Sequence, residues 1–310
     1  MRSLSKAPFV ALALWGLAGP APTQTAPVPG QWSDLAEVVV RGRIPGPAMW
    51  KLTRAGATVW VLGVMDVKPE PLRWDSRHFR HVLAGALVLV LPQESTWDPA
   101  NSLLSKNVHL KDVVSPAAYQ RFETRVMHEG FNIQAYANYK PVYAGARLMS
   151  DVIDDHGISS RIVPSDLPDM ATAAGVPVQP LARADAPDML ALYDSLDAGR
   201  SEACMGDYLD SIDYLLTVMP RVTLAWNRGD LHMILRDHRE MAFTTCILAD
   251  PASAAAYPAY AIDNMTAALE GALKTGGKSV AVWPLSDLLR KGGVLDRLRA
   301  DGVTITSPAD

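Results

Sequence analysis

The sequence predicts an α/β fold: a mixed β-sheet flanked by helices, with a helical middle insertion. Three observations carry that expectation. Residues 58–64 (TVWVLGV), 87–91 (LVLVL) and 279–283 (SVAVW) are short, almost unbroken apolar runs, the pattern of strands covered on both faces. Segments with apolar residues at helical spacing stand between them, and strands alternating with helices build layered α/β sheets. Residues 186–240 are dominated by amphipathic helical patterns.

The elements follow in order. The first segment reads as an address. Arg2 and Lys6 are basic, residues 7–19 are apolar, and small residues follow, with Gly19 and Ala21 at −3 and −1 of one cut. Residues 1–26 are thus expected to be a signal peptide cleaved at about 21–26. An uncleaved anchor is the competing reading. Residues 27–46 form a Pro-rich leader with a short β-branched run at 38–40. A domain over 47–306 follows, with its helical insertion at about 186–250.

Residues 49–53 and 58–64, joined by Arg54-Ala55-Gly56-Ala57, suit a hairpin with a Gly-containing loop. A helix is expected around 76–83, and a buried strand over 87–91 stopped by Pro92. Residues 114–160 read as mostly helical, and 176–181 as a third strand. Residues 252–274 read as a helix ended by Gly276-Gly277. The strand 279–283, short helices 285–290 and 294–299, and a last strand 303–306 complete the chain.

The chain has 310 residues, 49% hydrophobic and 20% charged, which is ordinary globular composition. Its 29 Lys+Arg against 33 Asp+Glu leave a net charge of −4 and no reason to expect a nucleic-acid partner. No run after the leader approaches the roughly 18 apolar residues of a spanning helix. The mature protein is therefore expected to be periplasmic or secreted, with no membrane span. In an oxidising compartment Cys204 and Cys246, the only cysteines, are expected to form a disulfide worth roughly 3–4.5 kcal/mol; two buried thiols are the alternative.

Familiar catalytic motifs are absent: no G-x-S-x-G, H-E-x-x-H or G-x-G-x-x-G occurs. Gly277-Lys278-Ser279 resembles the end of a phosphate loop, but Ala272 stands where that loop needs Gly, and a strand follows it. His78 and His81 read as surface side chains, and His232 and His238 stand six apart on poorly matched faces. Asp207, Asp210 and Asp213 recur every three residues. A solvated helix face is the expected reading, with metal binding as the alternative.

The segments Pro47-Ala48-Met49-Trp50-Lys51 and Thr58-Val59-Trp60-Val61-Leu62-Gly63-Val64-Met65-Asp66 resemble the opening of the TraB/GumN family, a Trp followed by a hairpin and a strand ending in Gly-x-x-His. The stretch from Gly276 through Trp283-Pro284-Leu285 to Gly293-Val294-Leu295 and Gly302-Val303 resembles its closing unit. Ala225-Trp226-Asn227-Arg228-Gly229-Asp230-Leu231 is similar to a helix-end segment of exported bacterial members. The resemblance implies a fold related to the Tiki-type proteases. For some members it implies metal-dependent peptide hydrolysis.

Several positions depart from the family pattern. The first Gly-x-x-His is Gly63-Val64-Met65-Asp66, and the second falls on Ala281-Val282-Trp283-Pro284. An acidic residue expected after the first helix falls near Val90, and a Glu after the third strand near Ala182. An Arg-Asn pair falls on Asp263-Asn264. Pro284, Val90 and Ala182 offer no ligand atom, and one carboxylate rarely holds a catalytic transition metal alone.

The resulting expectation is a noncatalytic member without a cofactor, binding a peptide, a cell-envelope protein or a small ligand in the old cleft. Gly63, Asp66, Asn264 and Trp283 are its candidate cleft positions, Trp60 and Met65 are further lining positions, and no residue is assigned a catalytic role. The alternative is an active metal-dependent hydrolase with a divalent transition metal at a relocated site, using Asp66 with His residues of the helical middle. A structural role in the cell envelope through the acidic helical surface is a third reading.

Overall fold

The computed structural model describes residues 46–92, 108–181, 189–251, 254–255 and 258–308. The signal-peptide and leader expectations, the run at 38–40 and Ala182 lie outside the described residues.

The chain builds a six-stranded sheet in the order β6-β4-β7-β2-β1-β8 and a two-stranded sheet β3-β5. Strands β1 (Met49–Arg54) and β2 (Ala57–Val64) form the expected hairpin, with Arg54 paired to Ala57 across its tight loop. That loop has Ala55 and Gly56 at positive φ, a conformation Gly56 adopts without steric cost. β3 (Lys68–Pro69) and β5 (Ile158–Ser159) form a small ladder of their own. β4 (Leu89–Leu91), β6 (Val178–Pro180) and β7 (Lys278–Pro284) run parallel beside β2. β8 (Thr304–Thr306) closes the far edge, antiparallel to β1.

The central strands are buried for the reason their sequences suggest. Val59, Val61, Leu62 and Val64 of β2 and Val280, Ala281 and Val282 of β7 are almost completely enclosed. β6 falls within the strand expected over 176–181; all three of its residues are exposed, so this edge strand is not covered on both faces.

Helix α1 (Arg77–Leu83) precedes β4. Between β4 and β6 lie α2 (Leu110–Val113), α3 (Pro116–His128), α4 (Pro141–Asp155) and α5 (Leu167–Ala173). Ser115 caps α3 by accepting from the Ala118 N–H at 3.3 Å, with Pro116 next to it in the first turn. The helical insertion follows β6. It comprises α6 (Met189–Ser195), α7 (Ala198–Thr217), α8 (Met219–Asn227), α9 (Leu231–Asp237) and α10 (Ala242–Ala249). Asp197 caps α7 through the Arg200 N–H at 2.8 Å, and Asp230 caps α9 through the Met233 N–H at 3.1 Å.

The helix expected over 252–274 is divided. A π-helical turn spans Pro258–Asp263, and α11 (Asn264–Thr275) continues from it to Gly276-Gly277, both at positive φ. Helices α12 (Leu285–Leu289) and α13 (Val294–Ala300) lie between β7 and β8.

The insertion shares the sheet's hydrophobic core. Met205, Tyr208, Leu209, Ile212 and Trp226 belong to the same buried cluster as Val61, Leu62 and Val282. The expected disulfide is present: Cys204 of α7 is bonded to Cys246 of α10, with Cα atoms 5.5 Å apart. Among the described residues no helix is long and apolar enough to cross a membrane.

Candidate functional site

In a parallel sheet the carboxyl ends of neighbouring strands share one edge, where open α/β folds place their ligands. The parallel register sets Gly63 beside Trp283 and Val64 beside Pro284. Asp66 follows two residues after β2. The two strand ends marked by the sequence therefore meet.

Gly63 is a packing position. A Cβ there would collide with Leu285 and stand 2.7 Å from Trp50 Cζ3. Its carbonyl accepts a hydrogen bond from Trp226 Nε1 at 2.7 Å. The next residue, Asn227, accepts from the Asp75 N–H at 2.8 Å and donates to the Arg73 carbonyl at 3.3 Å. The Ala225-Trp226-Asn227 segment thus fastens the end of α8 to the end of β2. Met65 is buried, with Thr223 Oγ1 3.8 Å from its sulfur. Trp283 is buried, and its Nε1 has no hydrogen-bond partner among the described residues. Trp60 lies within β2 and away from its end. Its ring meets His78 edge-on at 5.6 Å and lies under Lys51. Asn264 opens α11, the helix that leads back into β7.

Asp66 stands in a cluster of charged residues. Ser286 Oγ donates to Asp66 Oδ1 at 3.3 Å. Burial raises the Asp66 carboxyl above its ordinary value, while Ser286, Lys68 and Arg290 pull it back down. Lys68 is fully buried and donates to the carbonyls of Arg161 and Ile162. Arg290, immediately after α12, is also fully buried. Its guanidinium pairs with Glu240 and lies 3.9 Å from Asp287. Burial pushes Glu240 up, and Arg290 opposes that shift. His238, on the segment before α10, is held neutral: burial, aided by the Arg290 charge, lowers it to about 4. Tyr214 is pushed up to about 12, chiefly by burial, with the Asp66 charge adding to the rise.

Carboxylates therefore converge at the strand ends, but on a guanidinium and an ammonium. Among the described residues, the one trio of His, Cys or carboxylate ligand atoms within 4.8 Å of one another is Cys204, Asp207 and Cys246. A divalent ion 4 Å from a guanidinium would meet repulsion on the order of 8 kcal/mol at an effective dielectric of about 20. The residues at the strand ends do not fit the metal that the family resemblance implies.

Asp66, Gly63 and Trp283 are marked in the sequence; Lys68, Glu240, Ser286, Asp287 and Arg290 are not. The spacing in sequence carries no signal for this cluster, because its members come from β3, the segment before α10, and α12 with the residue that follows it.

The acidic stripe of α7 is more than a solvated face. Asp210 and Asp213, both more than half exposed, pair with Arg121 and Arg125 of α3. Asp207 turns toward the disulfide. A groove of about 650 Å³ between α3 and α7, lined in part by Arg121, Arg125, His128, Leu209 and Asp213, shares no residue with the cluster at the strand ends.

The family model described as the TraB/PrgY/gumN family matches residues 48–307. The chain belongs to the TraB/PrgY/gumN family. The match runs from the strand bearing Trp50 to the end of β8, so it includes every member of the charged cluster. No curated protein and no solved structure gives a significant match. Within this TraB/PrgY/gumN chain, the cluster occupies the edge where the family resemblance would seat a cation.

Proposed function

We propose that this chain is a noncatalytic TraB/PrgY/gumN protein that binds a peptide, a protein or a small ligand at the mouth of its sheet without cleaving it. One observation carries the reading: the buried guanidinium of Arg290 stands among Glu240, Asp287 and Asp66. A resident organic cation neutralises the carboxylates that a metal would otherwise need. Lys68 adds a second fixed positive charge. A buried pair of this kind resists replacement, because removing either charge strands the other away from water.

Asp66 and Trp283 are the positions through which a ligand would be sensed. Asp66 is only half-buried, and the buried indole N–H of Trp283 has no hydrogen-bond partner among the described residues. The basic, apolar and small-residue order of residues 1–26 supports export, with the protein acting in the periplasm or outside the cell. The competing reading, a metal-dependent hydrolase at a relocated site, draws on Asp66 and on His238, which does come from the helical middle. Metal content of the purified chain, followed by peptide-cleavage assays with and without Mn²⁺, Co²⁺ or Zn²⁺, separates the two. The proposal expects no bound metal and no cleavage. Metal-dependent turnover abolished by Asp66→Ala would reverse it.

A further inference from the structure

The disulfide joins two helices beside the carboxylate of Asp207. Cys204 and Asp207 are three residues apart and share a face of α7, while Cys246 comes from α10. Both cysteines are buried, at 3% and 1% exposure. Asp207 Oδ2 lies 3.9 Å from Cys246 Sγ, and Thr245 Oγ1 lies 3.4 Å from the same oxygen. The two sulfurs and the carboxylate all fall within 4.8 Å of one another.

We propose that reduction of the Cys204–Cys246 bond converts this place into a binding site for Zn²⁺, with Cys204, Cys246 and Asp207 as ligands and water in the fourth position. The geometry favours it. Around a tetrahedral zinc with Zn–S near 2.3 Å and Zn–O near 2.1 Å, neighbouring ligand atoms stand roughly 3.5–3.8 Å apart. The Asp207–Cys246 edge is already close to that spacing. Cutting the disulfide lets the two sulfurs part to the same distance, with their Cα atoms starting 5.5 Å apart. Thr245 is placed to hydrogen-bond the ligating carboxylate and fix its orientation. Two thiolates and one carboxylate give the bound ion a net charge of −1, and the Arg121–Asp210 pair lies nearby.

The chemistry balances. A dithiol reductant attacks one sulfur, then closes to its cyclic disulfide. It gives up two electrons and two protons, and leaves two cysteine thiols. Zn²⁺ then displaces the two thiol protons to solvent as both sulfurs bind. The helix pair α7–α10 is thereby held by a covalent bond under oxidising conditions and by a metal under reducing ones.

The test uses the mature, full-length chain. It is reduced with dithiothreitol, freed of reductant without air, and titrated with Co²⁺ and then Zn²⁺. The expected result is one Co²⁺ per reduced chain, with a thiolate-to-cobalt charge-transfer band that Zn²⁺ erases, and no such band in the oxidised chain. Asp207→Asn should weaken the reduced site by 10-fold or more, and Cys246→Ser should remove the site. A reduced chain that keeps its circular dichroism but shows no charge-transfer band overturns the proposal. So does unchanged affinity in Asp207→Asn. If reduction loosens the fold, Zn²⁺ added to the reduced chain must restore the native circular dichroism and EDTA must abolish it; failure to restore it also overturns the proposal.

Discussion

Arg290 and Glu240 form an ion pair with both side chains withdrawn from solvent, at 0% and 3% exposure. The pair joins the segment after α12 to the segment before α10, so it ties the helical insertion to the carboxyl edge of the sheet. Charged residues are almost never fully buried unless paired.

Breaking that pair should be costly and removing it whole should not. Arg290→Met leaves Glu240 and Asp287 buried opposite an apolar side chain, with an expected loss of about 3–5 kcal/mol. The double variant Arg290→Met/Glu240→Gln should recover much of it. Urea denaturation of both single variants and the double variant measures the coupling.

His238 should make the chain sensitive to mild acid. Its folded value near 4 lies below the ordinary 6.5, so the unfolded chain takes up a proton first as pH falls. The stabilisation is complete above about 6.5 and is lost as pH drops toward 4, by at most about 3 kcal/mol. Asp66 and Glu240 are raised and act in the opposite sense: their contribution is greatest in acid and is lost as pH rises through their folded values. Melting temperatures at pH 7.5 and pH 5 should therefore fall further for the wild type than for His238→Gln.

The end of β2 should tolerate little change. Gly63→Ala places a methyl group against Leu285 and Trp50, with an expected cost of about 1–3 kcal/mol. Trp226→Phe removes the donor to the Gly63 carbonyl, with an expected cost of similar size. Thermal denaturation checks both. Variants at the exposed Arg121–Asp210 pair should change stability by less than about 1 kcal/mol.

The disulfide should act through the unfolded chain. It closes a separation of 42 residues, for which chain entropy gives roughly 4 kcal/mol. Replacing both cysteines by Ala should lower the oxidised protein's denaturation midpoint accordingly.

The parts of this fold legible in the sequence are those with local patterns. Continuous apolar runs marked β2, β4 and β7, and the Gly-containing loop marked the β1–β2 hairpin. The family motif then drew attention to Asp66 and Trp283, which the parallel register brings together. The two-residue strands β3 and β5 are not legible, because two residues carry no alternation to read. The π-helical turn at Pro258–Asp263 escaped because its spacing differs little from that of an α-helix. Lys68, Glu240 and Arg290 escaped for a different reason. A charged residue at an element's end ordinarily faces water, and only a partner far away in sequence turns it inward. The ladder between Arg121, Arg125 and the acidic stripe of α7 was hidden in the same way: each helix alone presents an ordinary polar face.

The central claim is that this TraB/PrgY/gumN chain has exchanged a bound cation at its strand ends for the Arg290 guanidinium. The most direct measurement is peptide cleavage by the oxidised chain supplied with Mn²⁺, Co²⁺ or Zn²⁺, beside the Asp66→Ala variant and a chelated control. The account predicts no turnover above background in any of them. Cleavage that requires the metal, stops on chelation and disappears in Asp66→Ala would contradict it.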